Sequence, residues 1–275
     1  MAKRPDKDRY CDGDDDLIVE RVGRWANDKA NIVRRYVTAS SAARKGYPQS
    51  AYIDVFCGPG RAQVRDDGQF IDGTAVVGFN AAREAKAPFA RVEIADLDPR
   101  LLQAAETRLR RVGAPVGARA GSAATTLKQI IDTLDPSQLH FAFLDPHNLG
   151  TLSFDLFAEL ARLRRVDIIA HVSVADIQRN TDRYLSPDHG QFDSFAPGWR
   201  ESVNQNANID SIRGEIIRYW KARVERLGLT CAGHHEGVAN TKNRELYWLF
   251  FFSRHPLAHK LWLEISSAVK EPKFI

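Results

Sequence analysis

The sequence predicts an α/β fold built on a mostly parallel sheet with helices on both faces. Two observations carry this. Between residues 51 and 174, short apolar runs alternate with stretches of helical period, the pattern of consecutive βαβ units. The runs themselves, such as "RVEIAD", "LHFAFL" and "VDIIAHVSV", are apolar almost throughout. Strands covered by helices on both sides need that composition, whereas a half-exposed strand would alternate.

Residues 1–20 are expected to be an N-terminal tail, mobile or docked, because "MAKRPDKDR" and "DGDDD" carry too much charge to fold alone. Residues 21–275 read as one domain. Trp25, Ile32, Val33, Tyr36 and Val37 share a helical face, and "KGYPQS" ends that helix. The series continues with strand 51–56, helix 74–86, strand 91–96, helix 99–112, strand 116–119, helix 123–133, strand 139–144, helix 153–163 and strand 166–174. The extra loop "RAQVRDDGQFIDG" lies between the first strand and its crossover helix. Residues 176–208 read as an irregular lid, since Asp, Asn, Gln, Ser and Gly dominate and a loop of that length is usually functional. Ile209, Ile212, Ile216, Trp220 and Val224 then form one helical stripe that Gly228 closes. "ELYWLFFF" reads as a central strand and "HKLWLEISSAV" as a closing helix or mixed element.

With 44% hydrophobic and 27% charged residues, the 275-residue chain is neither disordered nor fibrous. A net charge of +4 permits an anionic partner without requiring one. Cys11, Cys57 and Cys231 lack the spacing of a zinc site or a disulfide scaffold, which suits a reducing, cytoplasmic setting. The longest strongly apolar run, "LYWLFFF", is too short to span a bilayer, so no membrane partner is expected.

In an open α/β sheet the ligand lies beyond the carboxyl ends of the strands. Four such ends are unusual. In "DVFCGPG", Gly58 and Gly60 allow a sharp turn with no Cβ in a ligand's way, although a plain strand-to-loop turn has the same look. In "VEIADLDPR", Asp96 is placed to accept hydrogen bonds from ribose hydroxyls, while Asp98, before Pro99, suits a helix N-cap. In "ARAGSAATTL", Ser122 suits an N-cap that also faces an adenine ring. In "FAFLDPHNLG", Asp145, His147 and Asn148 bring polar groups to the end of an apolar strand. A dinucleotide fingerprint fails because Gln63 stands where the third glycine belongs, and no Gly-Lys-Ser/Thr follows Gly60 to make a phosphate loop.

Together, "DVFCGPG", "IADLDP", "AGS" and "LDPHN" resemble the ordered motifs of class I S-adenosylmethionine-dependent methyltransferases. "VGRWANDKANIVRRYV", "DGTAVVGFNAA", "FDSFAPGW" and "ELYWLFFFSRHPLAHKLW" are similar to segments of the three-Cys-motif partner protein family. The resemblance covers about residues 20–268. It implies a Rossmann-like fold with a seven-stranded sheet, S-adenosylmethionine as cofactor, and a radical-SAM-like three-Cys-motif protein as partner. It places Asp54, Phe56, Gly58 and Gly60 at the methionine end of the cofactor, Asp96 at its ribose, Ser122 at its adenine and Asp145 on the reaction side.

On this reading Asp145 or His147 removes the proton of an acceptor nitrogen, and "DPHN" is compared with the Asp-Pro-Pro-Tyr loop of amino-methylating DNA enzymes. The substrate is expected to be nucleic acid. Phe192, Phe195, Trp199 and Arg200 are candidates to stack on a base, with packing of the lid the simpler role, and Lys29, Arg34, Arg35, Arg44 and Lys45 are candidates for a basic face. His171 reads as a core or cleft residue. His234, His235 and Glu236 are adjacent on the chain and so poorly placed to share a metal ion; no metal is expected. Two alternatives stay open. One is a catalytically inactive binding subunit for the partner, prompted by Ser122, His147 and Asn148 where the methyltransferase pattern has other residues. The other is a nucleic-acid-processing enzyme such as a nuclease, prompted by the many carboxylates.

Overall fold

The computed structural model describes residues 9–186, 188, 190–233, 236–239 and 245–267. In chain order the elements are β1 (Tyr10–Asp12), β2 (Ile18–Val22), α1 (Trp25–Ala39), α2 (Ser41–Arg44), β3 (Ala51–Asp54), β4 (Arg61–Val64), β5 (Phe70–Asp72), α3 (Thr74–Glu84), β6 (Arg91–Asp96), α4 (Pro99–Arg111), β7 (Val116–Ala120) and α5 (Ala123–Ile131). There follow β8 (Leu139–Leu144), a 3-10 turn (Leu149–Thr151), α6 (Phe154–Leu160), β9 (Arg165–Val172), α7 (Val174–Leu185), α8 (Gln191–Phe195), α9 (Trp199–Ser202), α10 (Ile209–Glu225), β10 (Thr230–Cys231), β11 (Glu236–Ala239), β12 (Glu245–Ser253) and α11 (Pro256–Ser267).

The main sheet runs β10-β12-β9-β8-β3-β6-β7. Strands β9, β8, β3, β6 and β7 are parallel, and β12 inserts antiparallel beside β9. The short β10 and β11 both pair with the outer side of β12, so one edge position is shared by two segments and the sheet has seven positions. This is the Rossmann-like class I methyltransferase arrangement expected from the sequence. The order reverses between β3 and β8, which opens a crevice at their carboxyl ends.

Apolar clusters cover both faces. Phe250 and Phe252 of β12 point into one, with Phe157, Phe195 and Trp220; Leu249 and Phe251 point into the other, with Tyr36, Phe141 and Trp262. The period of two along "LFFF" thus feeds two cores at once, as a central strand must. Trp220 meets the rings of Phe157, Phe195, Phe250 and Phe252 at 4.7–5.5 Å. Each such aromatic pair adds about 1 kcal/mol beyond its buried area.

Two regions differ from expectation, and a third bears out the simpler of two readings. Residues 10–22 are not a loose tail but strands β1 and β2. With the hairpin β4–β5, which replaces the expected loop 61–73, they make a second sheet of order β1-β2-β4-β5. The acidic run docks because arginines receive it: Asp14 accepts from Arg61 at 2.7 and 2.8 Å, and Asp15 from the buried Arg108 at 2.6 and 2.8 Å. Arg108 also donates to the Leu17, Ile18 and Pro59 carbonyls.

The lid region, second, is largely helical. Ser173 caps α7, whose Ile177, Thr181 and Tyr184 are buried while Gln178, Arg179 and Asp182 face water; the polar residues are the wet side of an amphipathic helix. Third, Phe192, Phe195 and Trp199 are fully buried, which assigns them to packing. The expected basic face on α1 and α2 is reduced, with Arg34, Arg35 and Lys45 still exposed. Arg44 is buried and donates to the Val37 and Ala87 carbonyls and Ser40 Oγ, Arg34 faces Glu84 at 3.8 Å, and Lys29 turns inward. The "HHE" candidate metal ligands fall at His234 and His235, outside the described residues. Among the described residues, no group of three or more His, Cys, Asp or Glu side chains could hold a metal ion, and no helix is long and apolar enough to cross a membrane.

Candidate active site

A cleft of about 450 Å³ opens at the carboxyl ends of β3, β8 and β9. One wall is the turn after β3, another the Asp145–His147 segment after β8, and the roof is β2, the start of α1 and the β4–β5 hairpin. The volume falls within the range of small-molecule sites.

The turn explains why β3 stops at Asp54 rather than running to residue 56. Asp54 Oδ1 accepts from the Phe56 backbone N–H at 3.0 Å, and Thr74 Oγ1 donates to Oδ2 at 3.1 Å, so the carboxylate ties the loop to α3. Gly58 and Gly60 then adopt φ of +55° and +76°. At Gly60 a Cβ would stand 3.0 Å from the Ala105 Cα; at Gly58 it would point into open space. The chain comes past α4 bare and leaves the cleft side uncovered. Burial pushes the Asp54 carboxyl up to about 7, against the lowering effect of the Phe56 N–H.

Asp96 lies beneath this turn. Its Oδ2 accepts from the Gly58 N–H at 3.0 Å and its Oδ1 from the Asp98 N–H at 2.8 Å. Burial raises its carboxyl above the ordinary range in spite of those bonds. Beside it, Leu97 is 77% exposed. Asp98 caps α4 as expected, accepting from the Arg100 N–H.

The reaction side is a cluster. Lys29 Nζ donates to Asp145 Oδ2 at 2.6 Å, and both side chains are about one-fifth exposed, at 17% and 21%. His171 Nδ1 lies 3.3 Å from Asp145 Oδ1, without the angle of a hydrogen bond, and this buried nitrogen has no other partner among the described residues. The His171 ring packs on Tyr247 at 4.5 Å, Lys29 lies over the same Tyr247 ring, and the Tyr247 hydroxyl donates to the Trp25 carbonyl. Burial alone would raise the Asp145 carboxyl, but the Lys29 ammonium outweighs it, with a contribution from His171 only at acid pH where that ring is protonated, and the carboxyl stays below its usual value. Burial pushes His171 down to about 4, so its imidazole is neutral at physiological pH. Asp145 is therefore an ionised carboxylate with Oδ2 occupied and Oδ1 turned toward a neutral ring.

Of the residues named from sequence, the cleft brings together Phe56, Gly58, Gly60, Asp145 and His147, with Asp54 and Asp96 behind the turn. His147 is exposed and meets Arg9 at 2.7 Å. Two candidates are held elsewhere. Ser122 caps α5, accepting from the Thr125 N–H, and Asn148 caps the 3-10 turn, accepting from the Thr151 N–H; neither side chain lines the cleft. That second turn is pinned from behind, since the buried Asp176 accepts from the Leu149 N–H and the Tyr184 hydroxyl.

Sequence reasoning missed Lys29 and Tyr247 as site residues. The one available signal was that Lys29 follows Trp25 by four positions, one helical turn, at the end of α1 that faces the sheet.

No family model matches this chain, and no curated protein matches it in sequence. Solved structures resemble it in fold. Protein LPL1258 from Legionella pneumophila is 10% identical, with a TM-score of 0.51 over 86% of this chain and 90% of that one. The O-methyltransferase TomG from Streptomyces achromogenes, solved in complex with SAM, is 13% identical, with a TM-score of 0.49 over 83% and 80%. An O-methyltransferase from Bacillus cereus in complex with SAH is also 13% identical, with a TM-score of 0.44 over 80% of each chain. At these identities the likeness is one of fold alone.

Proposed function

We propose that this chain is an S-adenosylmethionine-dependent methyltransferase that modifies nucleic acid. The observation that carries the reading is an ionised carboxylate, Asp145, held by Lys29 at one side of a cleft whose other side is a bare glycine turn. The residues present fit the cofactor: Gly58 and Gly60 leave room for its amino-acid end, Asp96 keeps lone pairs for ribose hydroxyls, and Leu97 offers an apolar face of the kind a purine covers. The cofactor would supply a methyl group already activated on a sulfonium.

What remains for the protein is alignment. Asp145 Oδ1 accepts a hydrogen bond from the acceptor N–H and turns the nitrogen lone pair toward the methyl side. After transfer the nitrogen carries one proton too many, and Oδ1 is the nearest base to receive it before it passes to water. His171, neutral and buried, adds no competing positive charge there. The resemblance in sequence also supports a radical-SAM-like three-Cys-motif partner, which co-purification from the native host tests.

Calorimetry with S-adenosylmethionine and S-adenosylhomocysteine tests the central reading. Both should bind; Asp96→Ala should weaken both at least about tenfold, the size of two lost hydrogen bonds. Asp145→Ala should bind the cofactor and lose transfer. Folded protein that takes up neither ligand overturns the proposal.

A further inference from the structure

Among the described residues, five cationic side chains line the cleft: Arg21, Lys29, Arg61, Arg65 and Arg179. Three carboxylates line it too, and each is already paired. Glu20 meets Arg9 at 3.0 Å, Asp72 meets Arg61 at 2.5 Å, and Asp145 meets Lys29 at 2.6 Å. Arg61 is doubly committed, since Asp14 takes its other face. Arg21, Arg65 and Arg179 are left over. All three are exposed, and none meets a carboxylate within ion-pair distance among the described residues. They come from three separate elements, β2, the β4–β5 turn and α7, so the surplus charge rings the mouth rather than following one helix.

The same mouth holds an aromatic platform. Trp25 is 39% exposed, whereas Trp199, Trp220 and Trp262 are fully buried. Its indole is seated on Gly23, where a Cβ would stand 1.9 Å from the ring. The bare glycine lets the ring lie flat against the backbone, so it is ordered before any ligand arrives and loses little freedom on binding.

We propose that Arg21, Arg65, Arg179 and Trp25 form a grip for an unpaired nucleic-acid strand. Phosphates meet the three arginines, one base stacks on Trp25, and a neighbouring base reaches down to Asp145. The grip rests on the methyltransferase reading only for what happens to that last base. Guanidinium forks match phosphate oxygens, and an indole needs a base face that a duplex keeps hidden in its stack. An acidic peptide would use the arginines and leave Trp25 idle.

The test is fluorescence anisotropy with a labelled single strand of about 12 nucleotides, as RNA and as DNA, beside the matching duplex and polyglutamate. The single strand should bind best. Removing all three arginines (Arg21→Ala, Arg65→Ala, Arg179→Ala) should flatten the slope of log affinity against log salt by about 2, at roughly 0.7 per phosphate contact. Trp25→Leu should weaken single-strand binding at least about fivefold and leave the salt slope unchanged. Wild-type affinity and slope in the triple variant, or equal binding of duplex or polyglutamate, overturns the proposal. Cofactor calorimetry on the same preparations separates the two readings: lost cofactor binding with an intact, arginine-dependent grip refutes methyl transfer alone, and the reverse refutes the grip alone.

Discussion

Replacing Lys29 by Met removes the cation that holds Asp145 ionised and keeps most of the side chain's bulk. At 2.6 Å and an effective dielectric near 20, the gross attraction is about 6 kcal/mol. Desolvation of two groups that are 17% and 21% exposed cancels much of it. Breaking a fully buried pair costs about 3–5 kcal/mol, and partial exposure brings this one to about 2–3 kcal/mol. The sign with pH follows from Asp145. Its carboxyl is lowered in the folded protein, so its contribution is present above the unfolded value near 4 and is lost as pH falls through the folded value. Without Lys29 burial dominates, the shift reverses, and the ionised carboxylate becomes a cost at neutral pH that protonation relieves. Lys29→Met should therefore lower the melting temperature by about 3–5 °C at pH 7, with a gap that narrows toward pH 5. Adding Asp145→Asn should recover most of the loss. Thermal melts of the wild type, both single variants and the double variant across pH 5–8 complete the cycle. A loss under about 1 kcal/mol that does not change with pH would mean a surface ion pair, and the account of the reaction side would be wrong.

Two further predictions concern the scaffold. Asp54, raised to about 7 by burial, favours folding when protonated, and that contribution fades as pH rises from about 4 to 7. Asp54→Asn should thus gain roughly 2–3 kcal/mol relative to wild type between pH 5 and pH 7 in urea denaturation; a flat difference refutes it. Trp199→Ala should cost about 3–5 kcal/mol, because the ring is fully buried against Phe192 and its Nε1 donates to Asp193, while oligonucleotide binding keeps its salt slope.

What could be read from the sequence was whatever has a period or sits at a strand end. The apolar runs of β6, β8 and β9 and the stripe of α10 place themselves, because burial on two faces or one leaves a local signature. The polar strand ends were equally legible, and five of the residues named there share the cleft. Pairings between distant charges were not. Asp15 finds Arg108 across 93 positions and Lys29 finds Asp145 across 116, and no spacing rule links them. Hence the acidic run looked like a tail, and Lys29 like part of a solvated face. Ser122 and Asn148 illustrate the converse: a cap and a ligand contact call for the same small polar residue, and only the local N–H groups show which role it has.

The strand beside β9 comes after every other strand among the described residues, and this bears on how the protein comes to exist. Tyr247, against which Lys29 and His171 rest, lies on β12, so a nascent chain can complete neither the sheet nor the reaction side until β12 has left the ribosome. Until then β9 has an open edge along Ile168–Val172, rich in Ile and Val. Chains cut or stalled before residue 245 are accordingly expected to be insoluble rather than merely inactive, with half-made products pairing edge to edge.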